Sequence, residues 1–204
     1  SLNQTANSFF TLNSKNMKNR NINFLIGIFC MTCTAACAQE ERVQPIDDKI
    51  YEACCGAEPV EFTNKDAYIF VANAFTPNGD GINDLFYPIV NEGVLEVIDF
   101  VIYTAEGDTA LFDRRTVDYN NIKEYAWNGL RYDGAVHKGP FKYSMRVVLK
   151  SGGLLKVEGK ACRIVCEPDA AIFKAKLGCF YPVQASTSRR LDISLPNKES
   201  GCFR

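Results

Sequence analysis

Four short oxygen-bearing side chains, Asn78, Asp80, Asn83 and Asp84, fall within one seven-residue stretch, interleaved with Gly79 and Gly81. Two chemistries suit that pattern. Carboxylates and amides can gather round a hard cation, with calcium the natural choice. Four side chains fall short of the roughly six to eight oxygens that calcium takes, so backbone carbonyls, water or a distant carboxylate would have to complete the shell. Alternatively, the same oxygens can accept from their own backbone amides as Asx turns, with no ion. The two glycines serve either arrangement, because a chain that wraps this tightly needs positive φ.

The second chemical group is the cysteines, nine in 204 residues. Cys30, Cys33 and Cys37 lie in an N-terminal segment with an export pattern. The other six are Cys54, Cys55, Cys162, Cys166, Cys179 and Cys202. An even set in an exported chain reads as disulfides. Adjacent Cys54 and Cys55 cannot bridge each other without strain, so each takes another partner. The expected pairing joins them to Cys162 and Cys166 in some order and closes Cys179 on Cys202. Zinc is the lesser alternative, because Cys162 and Cys166 are spaced more widely than a Cys-x-x-Cys knuckle.

Little else could catalyse a reaction. His137 is the only histidine, which removes most nucleophile–His pairs and most His-based metal sites. Its turn-rich surroundings predict an ordinary surface role. There is no Gly-x-Ser-x-Gly elbow, no His-Glu-x-x-His and no phosphate-binding Gly-Lys-Ser/Thr loop. No catalytic residue is assigned, and the chain is expected to be non-enzymatic. A net charge of −1 argues against a nucleic-acid partner.

The elements that must position these residues are strands. Tyr68 to Ala72 is an apolar run that reads as a buried strand leading into the Asn/Asp/Gly loop. Val60 to Phe62 alternates briefly. Val94 to Tyr103 predicts a strand with Ile98, Phe100 and Ile102 on one face. Thr109 to Phe112 follows a Glu106-Gly107-Asp108 turn, and Val117 to Glu124 reads as a polar loop. Trp127 reads as a core anchor. Phe141, Tyr143, Met145, Val147 and Leu149 alternate with mainly polar residues, and Ser151-Gly152-Gly153 turns the chain into a return strand through Ala161. Hydrophobic content of 47% and aromatic content of 12% suit a β-rich globular core. One hairpin cannot bury this much, so a second sheet must cover it. The expected fold is an all-β, immunoglobulin-like sandwich of about seven strands. Asp47 to Ala53 and Ala170 to Leu177 predict short helical turns. The expected boundaries are a sandwich over 66–166 and a disulfide-clipped C-terminal extension over 167–204.

The run Asn73-Ala74-Phe75-Thr76-Pro77-Asn78-Gly79-Asp80-Gly81-Ile82-Asn83-Asp84 resembles the opening signature of the gliding motility-associated C-terminal domain of Bacteroidota. Later segments resemble that family in the same order: Ile102-Tyr103 with Glu106-Gly107-Asp108, then Trp127-Asn128-Gly129, then Gly139-Pro140-Phe141-Lys142-Tyr143. The resemblance covers about Ala67 to Ile164. It implies a link to type IX secretion and cell-surface display. The family's domain closes large exported proteins. Here almost no passenger precedes it and a cysteine-containing tail follows, so the expectation is an envelope or secretion-machinery component rather than a sorting tag, with an envelope or machinery protein as partner. A calcium-assisted adhesin that binds glycan or protein through the Asp80 loop, with Phe86 and Tyr87 as its nearest aromatics, is the alternative.

Residues 1–16 show no pattern. Residues 17–37 read as a signal peptide: basic Met17 to Arg20, apolar Phe24 to Met31, then small residues. The apolar run is too short to span a bilayer. Thr34-Ala35-Ala36-Cys37 resembles a lipobox, which would make Cys37 the lipidated first residue and anchor the chain in a membrane. Glu40-Glu41 resembles the acidic signal that sends some Bacteroidota lipoproteins to the outer surface. Ala36-Cys37-Ala38 also suits ordinary signal peptidase, so lipidated and freely exported forms both stand. Residues 38–65 read as a tether and an N-terminal segment carrying Cys54-Cys55.

Overall fold

The computed structural model describes residues 48–174 and 176–203. The upstream segment, the signal region with Cys37 and the tether as far as residue 47 lie outside the described residues. Two sheets form the sandwich. The smaller contains β1 (Val60–Asn64), β2 (Ala67–Val71) and β4 (Ile89–Val90), in the order β1-β2-β4. The larger contains β3 (Ala74–Phe75), β5 (Val94–Tyr103), β6 (Ala110–Thr116), β7 (Gly139–Leu149) and β8 (Leu154–Arg163), in the order β3-β8-β7-β5-β6. The all-β sandwich expected from the sequence is the fold observed. It has eight strands, because the chain around the signature loop contributes two two-residue pieces, β3 and β4. β3 pairs in parallel with β8, so the chain crosses from one sheet to the other immediately before the loop.

Between the sheets lies a core rich in aromatic rings. Phe75, Phe86, Trp127 and Phe141 are fully buried. The Trp127 and Phe141 centroids are 4.8 Å apart and nearly perpendicular, an arrangement the ring quadrupoles favour. β7 supplies one wall as the alternation predicted: Phe141, Tyr143, Met145, Val147 and Leu149 all point inward. Gly159 on β8 leaves room for the Tyr143 hydroxyl, where a Cβ would collide.

β5 departs from the expected alternation. Its pairing with β7 slips between Ile98 and Val101, where Asp99 adopts a φ of 51°. An inserted residue exchanges the faces of everything before it. Val97 is therefore the core residue and Ile98 is half-buried, while Phe100 and Ile102 stay inside as expected. Arg146 on β7 holds the bulge through an ion pair with Asp99.

β2 is buried along its whole length because both of its faces are covered. Ile69 and Val71 face the sandwich core. Tyr68, Phe70 and Ala72 face outward, where Ala185 and Leu191 of the C-terminal extension pack on them. The extension thus forms a partial third layer. It consists of 3₁₀ turns (Pro168–Lys174 and Pro182–Gln184) and irregular chain. The helical turn expected at Ala170 to Leu177 is the first of these, and the one expected near Asp47 is a 3₁₀ turn over Asp48–Tyr51. The stretch expected as polar loop at Val117 to Glu124 winds into a 3₁₀ turn (Tyr119–Asn121) and one α turn, α1 (Ile122–Tyr125).

Candidate functional site

The signature loop hangs between two anchored rings. Phe75 and Phe86 are both fully buried, with centroids 5.6 Å apart. The Thr76 amide donates to the Asn83 carbonyl at 2.9 Å and closes the neck. Inside the loop, the Asp84 carboxylate gathers three amides. Its Oδ1 accepts from Asn78 N and Gly79 N at 2.8 Å each, and its Oδ2 accepts from Gly81 N at 2.7 Å. The Asn78 Oδ1 accepts from Asp80 N at 2.9 Å, and the Asp80 Oδ1 from Ile82 N at 2.8 Å. The Asn78 amide group also donates to Asp80 Oδ2 at 3.1 Å. These are Asx turns built on each other, with Gly79 and Gly81 at φ of 85°.

Of the four residues assigned to calcium, this geometry brings Asn78, Asp80 and Asp84 together and turns Asn83 away. Asn83 is buried, and its Oδ1 accepts from Val183 N at 2.9 Å while its Nδ2 donates to the Asn197 carbonyl and to Glu199. The oxygens left in the loop already face N–H donors, which repel a cation. This donor set does not fit a calcium shell of roughly six to eight oxygens, and it suits the self-bonded turn. Phe86 belongs to the core and leaves Tyr87 as the nearest partly exposed ring.

Asn83 instead joins the loop to the extension, at a buried polar cluster that no motif or spacing announces. Glu199 is 1% exposed, and its Oε1 accepts from Asn83. Its Oε2, the Thr76 hydroxyl and the Tyr181 hydroxyl are all buried without a partner. Burial raises the Glu199 carboxyl above the ordinary range, and the nearby Asp80 and Asp84 charges add to this against the opposing effect of Thr76 and Asn83.

A second clasp is Asn73, 1% exposed at the head of the signature. Its Nδ2 donates to Ala57 O at 2.7 Å and Gly178 O at 2.6 Å, and its Oδ1 accepts from Phe180 N at 2.6 Å. It therefore holds the N-terminal segment and the extension to the β2–β3 crossover together. Disulfides fix the same three parts. All six described cysteines are paired: Cys54–Cys162, Cys55–Cys179 and Cys166–Cys202. The first agrees with the expectation; the other two correct it. Cys166 does not join the N-terminal pair, and Cys179 does not close on Cys202. Cys54 is buried towards β8, whereas Cys55, at a φ of 60°, turns away to meet the extension that Asn73 draws in. β8 ends at Arg163, so Cys166 has left the sheet and lies against the tail.

The Cys166 and Cys202 sulfurs and the Glu199 carboxylate lie within 4.8 Å of one another. With both sulfurs spent in one disulfide, no thiolate is available there for zinc. For the same reason none of the described cysteines is a nucleophile. His137 corrects the expected surface role: it is half-buried, 5.8 Å from the Trp127 ring, with Nε2 at 3.0 Å from the Pro140 carbonyl. Burial lowers its pKa. Gly129, at φ of 85°, lets the buried Arg163 side chain pass where a Cβ would collide, and Arg163 Nη1 donates to the His137 carbonyl at 2.8 Å. Trp127 donates its indole N–H to Leu130 O at 2.7 Å. The Trp-Asn-Gly segment is thus a structural corner of the core.

No family model matches the chain, and no curated protein matches it. The three disulfides mark a non-cytoplasmic protein. Among the described residues, no helix is long and apolar enough to cross a membrane.

Proposed function

We propose that the chain is a non-enzymatic envelope module, displayed at the cell surface by a route linked to type IX secretion and anchored by lipid on Cys37. The observation that carries this reading is the use made of the signature. Asn73, Phe75, Asp84 and Phe86 each serve to shape or anchor one loop at the end of the sandwich. The resemblance to the gliding motility-associated domain lies in the run Asn73 to Asp84, to which the first three of these belong. A lipid anchor draws its support from the small residues before Cys37 and the acidic pair after it. The partner is an envelope or secretion-machinery protein. The adhesin reading is weaker, since Phe86 is unavailable to a ligand.

Co-purification from envelope fractions, followed by mass spectrometry, tests this. The expected result is a chain that starts at a lipidated Cys37 and travels with a secretion or envelope component. A chain recovered from the cytosol with free thiols would overturn the proposal. An unmodified start at Gln39 would overturn the anchor alone.

A further inference from the structure

The hollow framed by the two N-terminal disulfides has features of a ligand site that differ from those of the signature loop. It has a volume of about 330 Å³, at the small end of the range typical of ligand pockets. Ala57 and Ala105 line it, with Cys55 and Gly56 along one side, while Ala161 borders it from the strand whose core face its methyl group occupies. Its lining is mostly apolar. The Cys54–Cys162 and Cys55–Cys179 bridges tie down the chain that forms this side, so a ligand would find the space already built.

Lys142 and Lys160 stand at its rim. They are direct cross-strand partners on β7 and β8, so their side chains rise from the same face of the sheet. Like charges placed opposite each other repel, and neither lysine belongs to an ion pair among the described residues. The Lys142 ammonium donates to the Glu106 carbonyl at 2.6 Å, which leaves its charge uncompensated. The nearest carboxylates do not cancel the pair. Glu158 is held by Lys156 at 2.7 Å, and Glu106 lines only the neighbouring hollow. An apolar hollow bordered by two lysines of one sheet face, neither in an ion pair among the described residues, complements a small molecule with a hydrocarbon body and one anionic head.

We propose that this hollow binds a small apolar carboxylate, its body against Ala57 and Ala105 and its head between Lys142 and Lys160. A ligand of this size should bind with a Kd on the order of 10⁻⁴–10⁻³ M. The probe is octanoate, titrated into the oxidised protein while backbone amide NMR shifts are followed. Octan-1-ol and octylamine serve as neutral and cationic counterparts. Octanoate should shift the amides of Gly56, Ala57 and Ala105 and bind at least ten-fold more tightly than either counterpart. The double variant Lys142→Gln/Lys160→Gln should lose that preference and keep the weak octan-1-ol affinity. Ala57→Leu should abolish binding of all three by filling the space. Equal binding of octanoate and octan-1-ol to wild type would overturn the proposal, as would no shift with 10-fold excess octanoate over about 1 mM. The wild-type comparison of three head groups decides the matter even if a variant fails to fold.

Discussion

Asp84 collects three amides of the signature loop, so its removal should be felt more than that of Asn78 or Asp80, the other residues of the self-bonded turn. Asp84→Ala should cost about 1–2 kcal/mol, towards the low end for charge-assisted bonds because the loop is exposed. Asp80→Ala, which loses one amide bond, should cost less. Urea titration of both variants measures the order. Excess calcium and excess chelator should give the same wild-type melting temperature. A calcium-dependent rise that Asp80→Ala abolishes would instead restore the metal site.

Glu199 and His137 make opposite predictions about pH. The Glu199 carboxyl has a raised pKa in the folded chain, so folding disfavours its ionised form. Its contribution is fully present below the ordinary carboxylate range and is lost as pH rises through the folded value. His137 has a lowered pKa, so its contribution is present above the ordinary histidine value and is lost as pH falls through the folded value. Glu199→Gln keeps a hydrogen-bonding group that can serve Thr76 and cannot ionise. It should melt above wild type at pH 7.5, with a gap that closes as pH falls towards the ordinary glutamate range. Calorimetry across pH at fixed ionic strength reads this. A variant that melts below wild type at neutral pH would show that the carboxylate is ionised and satisfied in place.

At the scale of elements, the extension depends on its clasps. Asn73→Ala orphans the Phe180 amide and the Ala57 and Gly178 carbonyls, at about 1–3 kcal/mol for each group that water cannot reach. Removing the Cys55–Cys179 bridge as a paired serine variant should cost about 2–4 kcal/mol and expose the tail to protease before the sandwich. Non-reducing peptide mapping should recover Cys55 with Cys179 and Cys166 with Cys202. The regular strands were legible in the sequence because their alternation is local, as β7 shows from Phe141 to Leu149. The bulge at Asp99 was not, since one inserted residue leaves the apolar pattern of β5 readable in either phase. The loop's chemistry was legible as a choice between two uses of the same oxygens. Asn83 could not be divided from its neighbours by type, because what turns it inward is Val183, Asn197 and Glu199, about 100 residues on. The cysteine pairing was hidden for the same reason: Asn73 draws the extension to Cys55 across a distance no spacing rule reports.

At the scale of the whole molecule, the described residues form a sandwich whose tail covers the outer face of β2 and whose cysteines are all spent on structure. Such a design suits a module that must persist outside the cytoplasm and present a fixed surface. Its proposed site of action, the outside of the cell, can be read directly. Intact Bacteroidota cells producing the full chain would be treated with protease and compared with cells of the same strain lacking a functional type IX system, with a periplasmic protein as the control for lysis. The chain should be digested on intact competent cells and protected in the secretion-deficient strain. Equal protection in both strains, with the chain digested only after the outer membrane is opened, would contradict surface display.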